Sequence, residues 1–505
     1  MAQPLQSINL VAPAFKGVNT EDSPIAQDPS YADVADNAVI DKRGRIAARK
    51  GIDVITTDKT ELGTDYVHKI HYFYDDAGNE VVFTAGNNKI MTGTTTLTDV
   101  TPGSYTITAN NWKIVNFNDK AYFFQRGYDP LVYDNATGLR TFTVANGGAT
   151  AATLKCHEAL AAYGRLWIVD NATDTQTIYW SDLLIGADFT GGSSGSIDVS
   201  KAWPDGYDEV RALAAHNNTL IIFGKHSILV YGGASSPASM ALVDTVAGVG
   251  CICRNSVQHI GTDVLFMSNT GLRSLGRTIQ EKSLPISDLS LNVKTEIISL
   301  INNRTLPTAS VYSPENSFYV ITFPDQLTAY CFDLKGRLEN GAYRVTRWTS
   351  IPHKSFEVKT DGTLYIGTTD GIGTYSGYVD NTTAYRFRYY SPGLTFGDPA
   401  KTKLLKKLRP TLVGATGATV FMKWAYDLAT DFKTYEFTVG NQVPAYYGVD
   451  EFAIGEFTGG ELTTRNSVQA TGNGSIITIG LEADINGSAL SLQEINVLAL
   501  MGKTV

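Results

Sequence analysis

Long hydrophobic runs, a basic leader and a surplus of positive charge are all missing from this 505-residue sequence. No stretch approaches the roughly 18 consecutive apolar residues that a membrane-spanning helix needs. Residues 1–15 contain neither a basic region nor a continuous apolar segment, so we expect no secretory signal and a chain that is kept in the cytosol. The net charge of −9 disfavours tight binding of nucleic acid, which depends on Lys and Arg contacts to phosphates.

Cysteine is scarce, with 4 in the whole chain, which excludes a disulfide framework. Cys251 and Cys253 are too close along an extended backbone to form a bridge easily. A metal site built from these two residues with Cys156 and His157 lacks a second matched pair of ligands. We therefore expect reduced, buried thiols, no metal and no cofactor.

Motifs of catalysis are also lacking. Residues 191–195 read GGSSG and formally match a nucleophile motif, but they lie in a Gly/Ser loop without the strand, turn and helix that such a serine requires. Residues 397–403 have the wrong glycine spacing for a phosphate-binding loop. The sequence therefore predicts a protein that is not an enzyme.

Glycine and tyrosine are abundant, at 47 and 26 residues, which is typical of many short strands joined by turns. A unit of polar turn, apolar strand, polar loop and second strand recurs along the chain. These units span residues 74–92, 116–134, 163–182, 215–233, 260–277, 313–333 and 359–378. Their spacing of roughly 40 to 55 residues predicts a mostly-β fold with a β-propeller of about seven blades over residues 59–380. A six-bladed or irregular ring is the competing count.

A helical insert is predicted near residues 284–302, with Ser287 or Asp288 as its N-cap. Four apolar residues there lie at helical spacing: Leu289, Val293, Ile297 and Leu300. Such an insert more often covers a sheet edge than performs chemistry.

Both ends of the sequence fall outside the repeat. Residues 1–58 form no blade and are expected to run as an extended N-terminal arm. Longer alternating strands over residues 381–505 predict a C-terminal antiparallel β-domain of sandwich type. Within it, residues 443–462 are rich in Gly and aromatics and form either a partner-contacting loop or a packed surface loop.

The most specific segment is residues 12–51, which carries four short motifs in order, G-V-N, D-S-P, A-x-N-x-x-I-D and G-R-x-x-x-R-x-G. The matching residues are Gly17, Val18, Asn19, Asp22, Ser23, Pro24, Ala35, Asn37, Ile40, Asp41, Gly44, Arg45, Arg49 and Gly51. This pattern resembles the opening of tail nozzle, tail hub and tail tubular protein B sequences of short-tailed bacteriophages (podoviruses). Residues 178–233 resemble the middle of the same proteins. Residues 385–414 resemble, more weakly, the junction at which they leave the propeller.

The resemblance implies a structural virion protein of the phage tail, assembled in the cytoplasm of the host bacterium. Subunits of that family form a closed homo-oligomeric ring, usually a hexamer, which contacts adaptor and portal-side tail proteins and tail fibres or spikes. Such a nozzle encloses double-stranded DNA without sequence-specific binding, retains packaged DNA and opens for ejection. An acidic chain fits this role, because a lumen that repels phosphate lets DNA slide. The N-terminal segment would pack against the propeller or a neighbouring subunit, or complete a blade of its own subunit.

One strongly positive run stands out in this acidic chain. It consists of Lys401, Lys403, Lys406, Lys407 and Arg409. The run is either a contact surface for another subunit or partner, or simply the solvated face of a strand or helix.

The alternative function is a carbohydrate-binding or glycan-cleaving β-propeller at the host surface. Glycan hydrolysis needs only two carboxyl groups at a suitable separation, which turns of a propeller could supply. The candidate residues are Asp75, Asp76, Asp170, Asp174, Asp182, Asp205 and Asp361. Exposed aspartates in turns are mostly backbone caps, however, so the structural role is preferred.

Overall fold

Almost all of the regular structure is β-sheet in the computed structural model, which describes residues 5–11, 14–103, 105–142, 154–281, 288–440 and 463–504. Within those ranges two α-helices and four short 3-10 helices are the exceptions. The mostly-β class predicted from the sequence is confirmed. The aromatic-rich segment 443–462 lies outside the described residues.

Short strands of the N-terminal segment come first in the chain. They are β1 (Gln6–Leu10), β2 (Val34–Asp36), β3 (Ala38–Ile40), β4 (Ile46–Ala48) and β5 (Gly51–Val54).

Four antiparallel sheets of four consecutive strands follow. Their strands are β6 (Lys69–Tyr74), β7 (Glu80–Gly86), β8 (Lys89–Thr92) and β9 (Thr98–Asp99); β10 (Lys113–Phe117), β11 (Lys120–Phe124), β12 (Leu131–Asp134) and β13 (Gly138–Thr141); β14 (Cys156–Ala162), β15 (Arg165–Asn171), β16 (Thr177–Trp180) and β17 (Gly195–Asp198); β18 (Val210–His216), β19 (Thr219–Gly224), β20 (Ile228–Gly232) and β21 (Ala241–Val246).

A three-stranded sheet, two helices and two further four-stranded units complete the central part of the chain. The sheet and helices are β22 (Gln258–His259), β23 (Val264–Ser268), β24 (Gly271–Ser274), α1 (Leu275–Glu281) and α2 (Lys294–Asn303). One four-stranded unit contains β25 (Ala309–Ser313), β26 (Phe318–Phe323), β27 (Thr328–Arg337) and β28 (Tyr343–Thr349). The other contains β29 (Phe356–Val358), β30 (Leu364–Thr368) and β31 (Gly371–Ser376), with β5 as its outermost strand.

The first strands of these sheets meet around a central axis. β6, β10, β14 and β18 contact one another in that order, while β25 contacts β29 and β29 contacts β6. The 3-10 helix Arg254–Ser256 contacts both β18 and β25 and closes the ring. The chain is therefore a β-propeller with six complete four-stranded blades. The three-stranded sheet β22-β23-β24 is smaller than a complete blade. The predicted count of about seven was close but one too high for complete blades.

Tight hairpin turns explain the repeat seen in the sequence. Asn118–Asp119 joins β10 to β11, and Asn217–Asn218 joins β18 to β19, each as a two-residue loop. All four of these residues have positive φ. Asn and Asp tolerate that conformation, which suits the twist of a two-residue hairpin.

The C-terminal residues form two sheets over one apolar cluster. Their strands are β32 (Tyr385–Tyr390), β33 (Lys401–Gly414), β34 (Thr419–Tyr426), β35 (Lys433–Thr438), β36 (Thr463–Arg465), β37 (Val468–Gln469), β38 (Asn473–Gly474), β39 (Ile477–Ile485) and β40 (Leu490–Thr504). One sheet is centred on β33 and β40, and the other runs β2-β32-β39-β34-β35. The second sheet continues through β2 into β28, so a propeller blade and the C-terminal region share one nine-stranded sheet.

The described part of the N-terminal segment completes a blade of its own chain, which is one of the alternatives that the sequence left open. β5 pairs with β31 and completes the last blade, while β2 lies between β28 and β32. β1 and β4 both pair with β40. The partners are far away in sequence, for example Asp53 and Thr374, which are 321 positions apart. Local sequence therefore carried no signal for this pairing.

The predicted helix forms, but it begins later than expected. After the 3-10 helix Leu291–Val293, α2 covers Lys294–Asn303. Asp288 is not its N-cap, since this buried carboxylate pairs with Arg273 at 3.0 Å and with Lys294 at 3.1 Å. Ser287 lies outside the described residues. The predicted apolar face is buried in the main core cluster, against which Leu300 also packs.

Candidate functional site

Arg49, one of the residues of the phage-like motif, joins the propeller to the C-terminal sheets. Its buried guanidinium donates from Nη1 to Oδ1 of Asp380 at 2.8 Å and from Nη2 to Oδ2 at 2.5 Å. It also lies over the rings of Tyr385, 4.2 Å from the centroid, and Trp348, at 5.8 Å. Trp348 belongs to β28 and Tyr385 to β32, so a single N-terminal residue holds both regions.

Asn37 makes a second connection between the same two regions. Its Nδ2 donates to Oγ1 of Thr349 at 3.0 Å and to the carbonyl oxygen of Arg386 at 2.9 Å. Its Oδ1 accepts from the amide of Thr349 at 3.1 Å and from Nε of Arg49 at 3.2 Å. Asn37 has φ +52°, a conformation that asparagine tolerates better than most residues.

The first motif residues fix the approach of the segment to the propeller. A Cβ at Gly17, which has φ +93°, would lie 2.6 Å from the amide nitrogen of Val345 in β28. Glycine is therefore required for this close approach. Asn19 organises the following turn, because its Oδ1 accepts from the amide of Glu21 at 3.0 Å and its Nδ2 donates to Asp22 at 2.7 Å.

The remaining motif residues form turns and contacts of the same kind. The carbonyl oxygen of Pro24 accepts from the amide of Gly393 at 2.9 Å. Arg45 donates from Nε to Oδ2 of Asp41 at 2.6 Å across the turn between β3 and β4, where Gly44 has φ +79°. These motif residues, all within residues 12–51, thus make contacts inside this one chain.

The positive run on β33 does not form one continuous cationic surface. Lys401 pairs with Asp398 at 3.0 Å, and the buried Lys403 donates to the carbonyl oxygens of Asp398 and Ser475. Lys406 and Arg409 are exposed and Lys407 is half-buried. Lys401, Lys406, Lys407 and Arg409 are therefore accessible to a partner, whereas Lys403 is not.

A short apolar loop lies within the second window of resemblance. Leu183, Leu184 and Ile185 are 51%, 57% and 50% exposed, between β16 and β17 of the third blade. The carbonyl oxygen of Leu184 accepts from Nδ2 of Asn118 at 2.8 Å, which ties the loop to the neighbouring blade. Three adjacent large apolar side chains held out to solvent are typical of a protein contact.

The propeller encloses an axial cavity of about 980 Å³. It is lined by the first strands of the blades and by the segments that lead into them. The far ends of two of these strands also meet, since the amide of Asp76 donates to Oδ1 of Asp119 at 3.0 Å. The strands therefore run side by side in one direction, and their starting residues gather at one mouth of the cavity.

Basic side chains occupy this mouth in nearly every blade. At or shortly before the start of each first strand lie Lys69, Lys113, Arg211, Arg254, Arg304 and Lys354, which we call the basic ring. In the blade that begins with β14 the place is taken by His157. Arg126, from the loop between β11 and β12, adds a seventh cation, whereas the lining acids are Asp170 and Glu357.

Part of this charge is compensated by two buried carboxylates. Lys113 Nζ lies 2.8 Å from Oε1 of Glu158, and Arg254 lies 3.7 Å from Oε2. Asp170 pairs with Arg254 at 2.5 Å and with Arg126. Asp170 has φ +73°, so the backbone is strained to place this carboxylate between the two guanidinium groups.

His71 and His157, two of the histidines that line the cavity, add no charge near neutral pH. Burial lowers the pKa of His71 to about 3, and burial likewise lowers the pKa of His157 to about 3. His71 Nε2 lies 2.7 Å from Oδ1 of Asn116, and His157 Nδ1 lies 2.6 Å from Oε1 of Gln125. The electrostatic character of the mouth is therefore set by its Lys and Arg residues.

The aspartates proposed for the glycan-cleaving alternative do not converge. Asp170 alone among them lines the axial cavity, and it is held by two arginines. Others cap backbone turns: Asp75 accepts from the amide of Asn79, and Asp361 from that of Thr363. The remaining candidates, Asp76, Asp174, Asp182 and Asp205, do not line the cavity.

The Gly/Ser loop and the cysteines behave as structural elements. Ser193 donates to Asp182 at 2.8 Å, and the loop leads into β17 rather than into a helix. All four cysteines are buried and stand outside any disulfide in the described part of the chain, as predicted. Burial raises the pKa of Cys251 to about 12. In the part of the chain that the structure describes, no group of three or more His, Cys, Asp or Glu residues could hold a metal ion.

The sequence-based search missed the basic ring. Its members lie near the starts of the first strands, from Arg304, which precedes β25, to Arg211, which lies within β18. The recurring unit was defined from its polar turns and so omitted the start of most first strands. Aligning the repeats on those strands instead would have exposed a Lys or Arg in six of them.

Comparisons with known proteins bear on the fold alone. No model of a protein family matches the sequence, and no curated protein matches it. Among solved structures, the extracellular domain of a putative one-component system from B. thetaiotaomicron matches with TM-score 0.42 and 10% identity over 78% of this chain and 48% of that chain. Streptogramin B lyase matches with TM-score 0.37 and 10% identity over 65% and 97%. The WD40 β-propeller domain of Doa1 matches with TM-score 0.38 and 12% identity over 64% and 96%.

The chain spans less than half of the first of these domains. Among the described residues, no helix has the length and hydropathy needed to cross a membrane.

Proposed function

We propose that this chain is a structural subunit of a short-tailed phage tail, one protomer of the nozzle ring that forms the distal DNA channel. In this role it retains packaged DNA and opens for ejection. The motif at residues 12–51 supports the family, and the net charge of −9 suits a conduit along which DNA slides. The ring is a homo-oligomer, expected to be a hexamer, that docks on adaptor and portal-side proteins and carries fibres or spikes.

The observation that carries the proposal is the exposed apolar loop 183–185. It lies in the window of residues 178–233 that resembles the phage proteins, and it has three large side chains that are about half exposed. A monomer gains nothing from holding these groups in water, whereas a subunit contact would bury them. The exposed cations Lys406 and Arg409 offer a second, polar contact surface.

The decisive experiment measures the mass of the purified chain by native mass spectrometry, with negative-stain images of the same sample. We expect closed rings with a central hole, alone or after addition of the adaptor protein. A triple variant with Leu183→Ser, Leu184→Ser and Ile185→Ser should lose most of the ring population while keeping its circular dichroism spectrum. Leu242→Ser, a 41% exposed leucine on β21, is the matched control.

A strict monomer, with or without the adaptor, would contradict the proposal. Binding or release of glycans by that monomer would then favour the carbohydrate-active alternative. Rings that persist unchanged in the triple variant would keep the nozzle function but remove this loop from the subunit contact.

A further inference from the structure

The basic ring at the mouth of the axial cavity is more positive than its own structure requires. Seven Lys and Arg residues but two acidic residues line the cavity, in a chain whose net charge is −9. Glu158 compensates further for Lys113 and Arg254, and Glu209 for Arg211, so the remaining excess lies on Lys69, Arg304 and Lys354. Clustering like charges at a low-dielectric opening costs free energy unless an opposite charge compensates for it. The excess therefore points to a ligand.

Three members of the ring have no carboxylate within 4 Å among the described residues. Lys354 lies instead over the ring of Tyr66, 4.3 Å from its centroid. Arg304 donates to two carbonyl oxygens, at 2.5 Å to Ile301 and 3.0 Å to Ile252, which do not neutralise it. The ammonium group of Lys69 has no hydrogen-bond partner or carboxylate within 4 Å among the described residues, and Glu357 acts on it only electrostatically.

Lys69 is the clearest sign of an unmet interaction. Its side chain lines the cavity, and burial lowers the pKa of its ammonium group. A half-buried cation without a nearby carboxylate is costly, and an anion in the cavity would lower that cost. Asn111, Asn116 and Gln258 also line the cavity and add polar groups that could orient a ligand.

We propose that this mouth of the axial cavity binds a small multivalent anion, with two or more closely spaced phosphate or carboxylate groups held by Lys69, Lys354 and Arg304. Charge-assisted hydrogen bonds from Lys and Arg are strong, and the guanidinium groups suit bidentate contacts with such oxygens. The cavity volume of about 980 Å³ is that of a small-molecule site. The inference does not rest on the nozzle function.

The test is isothermal titration calorimetry of the isolated chain at low ionic strength, with sodium triphosphate and with citrate as probes. We expect one site per chain and a higher thermal unfolding midpoint with the anion bound. Comparing the two probes separates a phosphate ligand from a carboxylate ligand. Affinity should fall as salt is raised, because the contacts are ionic.

Lys69→Gln and Lys354→Gln should each weaken binding by about tenfold, as expected for loss of one charge-assisted contact. Lys201→Gln, the same change at an exposed site, should leave affinity unchanged. The ligand-free unfolding midpoint of each variant serves as the folding check. Because neither lysine has a carboxylate partner, neither replacement should destabilise the chain.

Absence of binding by both probes would overturn the proposal. So would equal weakening in all three variants, which would indicate a diffuse effect of net charge. Duplex DNA that competes as well as triphosphate would also overturn it in favour of a polyanion surface. Since binding is measured on the isolated chain, failure of ring assembly would leave this result intact.

Discussion

Arg49 illustrates how a single side chain can unite two parts of a fold. Its ion pair with Asp380 and its contacts with Tyr385 and Trp348 are buried between a blade and the C-terminal sheets. Arg49→Met should lower the free energy of unfolding by about 3 kcal/mol, because it leaves the carboxylate of Asp380 without its cation in a partly buried site. Arg49→Lys should recover only part of this loss, since lysine cannot make the bidentate contact.

Chemical denaturation followed by circular dichroism checks this expectation. Arg465→Met is the matched control, because Arg465 is exposed and lies 3.9 Å from its partner Glu494. We expect its effect to stay within about 0.5 kcal/mol. Similar losses in both variants would show that Arg49 does not hold the two regions together.

Asp33 is a buried acid whose titration should be visible in stability. Burial raises its pKa to about 6, and its Oδ1 makes no hydrogen bond. A raised carboxyl pKa favours the protonated folded state, so this contribution to stability is fully present below the unfolded pKa of about 4 and is lost as pH rises through 6. Asp33→Asn should therefore gain stability relative to the unmodified chain between pH 4 and pH 7.

Thermal unfolding midpoints of the two proteins, measured across this pH range, give the comparison. The difference between the proteins isolates Asp33 from other carboxylates, such as Asp134, whose pKa is lowered to about 2. A difference that does not change with pH would show that Asp33 does not titrate there.

At this scale, sequence reasoning succeeded where a residue belonged to a motif. Arg49, Asn37 and Gly17 were singled out by the phage-like pattern, and each makes a specific contact that its residue type explains. Lys69 and Arg304 were missed. Their shared place near the starts of the first strands was hidden because the repeat was aligned on its polar turns, and only the fold shows that these starts meet at one mouth of the cavity.

Among the elements, β5 has the largest consequence for the propeller, because it supplies the outer strand of the last blade. Gly51 begins this strand, and a Cβ there would lie 1.8 Å from the carbonyl oxygen of Val379. Gly51→Ala should therefore destabilise the chain by about 1–3 kcal/mol through a backbone clash.

Gly336→Ala is the matched control in β27, since a Cβ there meets nothing within 4 Å. It should be neutral or slightly stabilising, because alanine restricts the unfolded chain. Guanidinium unfolding of both variants provides the measurement. Equal midpoints would mean that the contact at Gly51 can relax without cost.

The elements also mark what periodicity can and cannot predict. α2 was expected from its apolar spacing, but it begins later than predicted. Asp288, the predicted N-cap, forms ion pairs instead of capping the helix. β5 follows the alternative in which the N-terminal segment completes a blade, but the pairing partners of β2 and β5 could not be predicted. Both strands are short, and their partners are more than 300 positions away, as for Asp36 and Arg347, 311 positions apart.

At the scale of the whole molecule, one apolar cluster spans propeller and C-terminal sheets. It contains Tyr319 of β26 together with Leu481 of β39. We therefore expect these regions to unfold in one transition, with coincident midpoints by circular dichroism and tryptophan fluorescence. Leu481→Ala should shift both midpoints, with a loss of about 2–5 kcal/mol.

Leu242→Ala, at an exposed position, should shift neither midpoint. Two separate transitions, of which Leu481→Ala moves only one, would show that the C-terminal sheets are an independent unit. In that case the boundary at residue 380, which was drawn where the sequence repeat ends, would also separate two regions that unfold independently.

The pairing of β1 with β40 has a consequence for biosynthesis. Asn9 lies opposite Asn496 in this pair of strands, although the two residues are 487 positions apart in the sequence. During translation, β1 and β4 therefore leave the ribosome long before β40 has been synthesised, and they stay unpaired until then. Final closure is then a late, post-translational event, during which the waiting strands are exposed to aggregation and to chaperones.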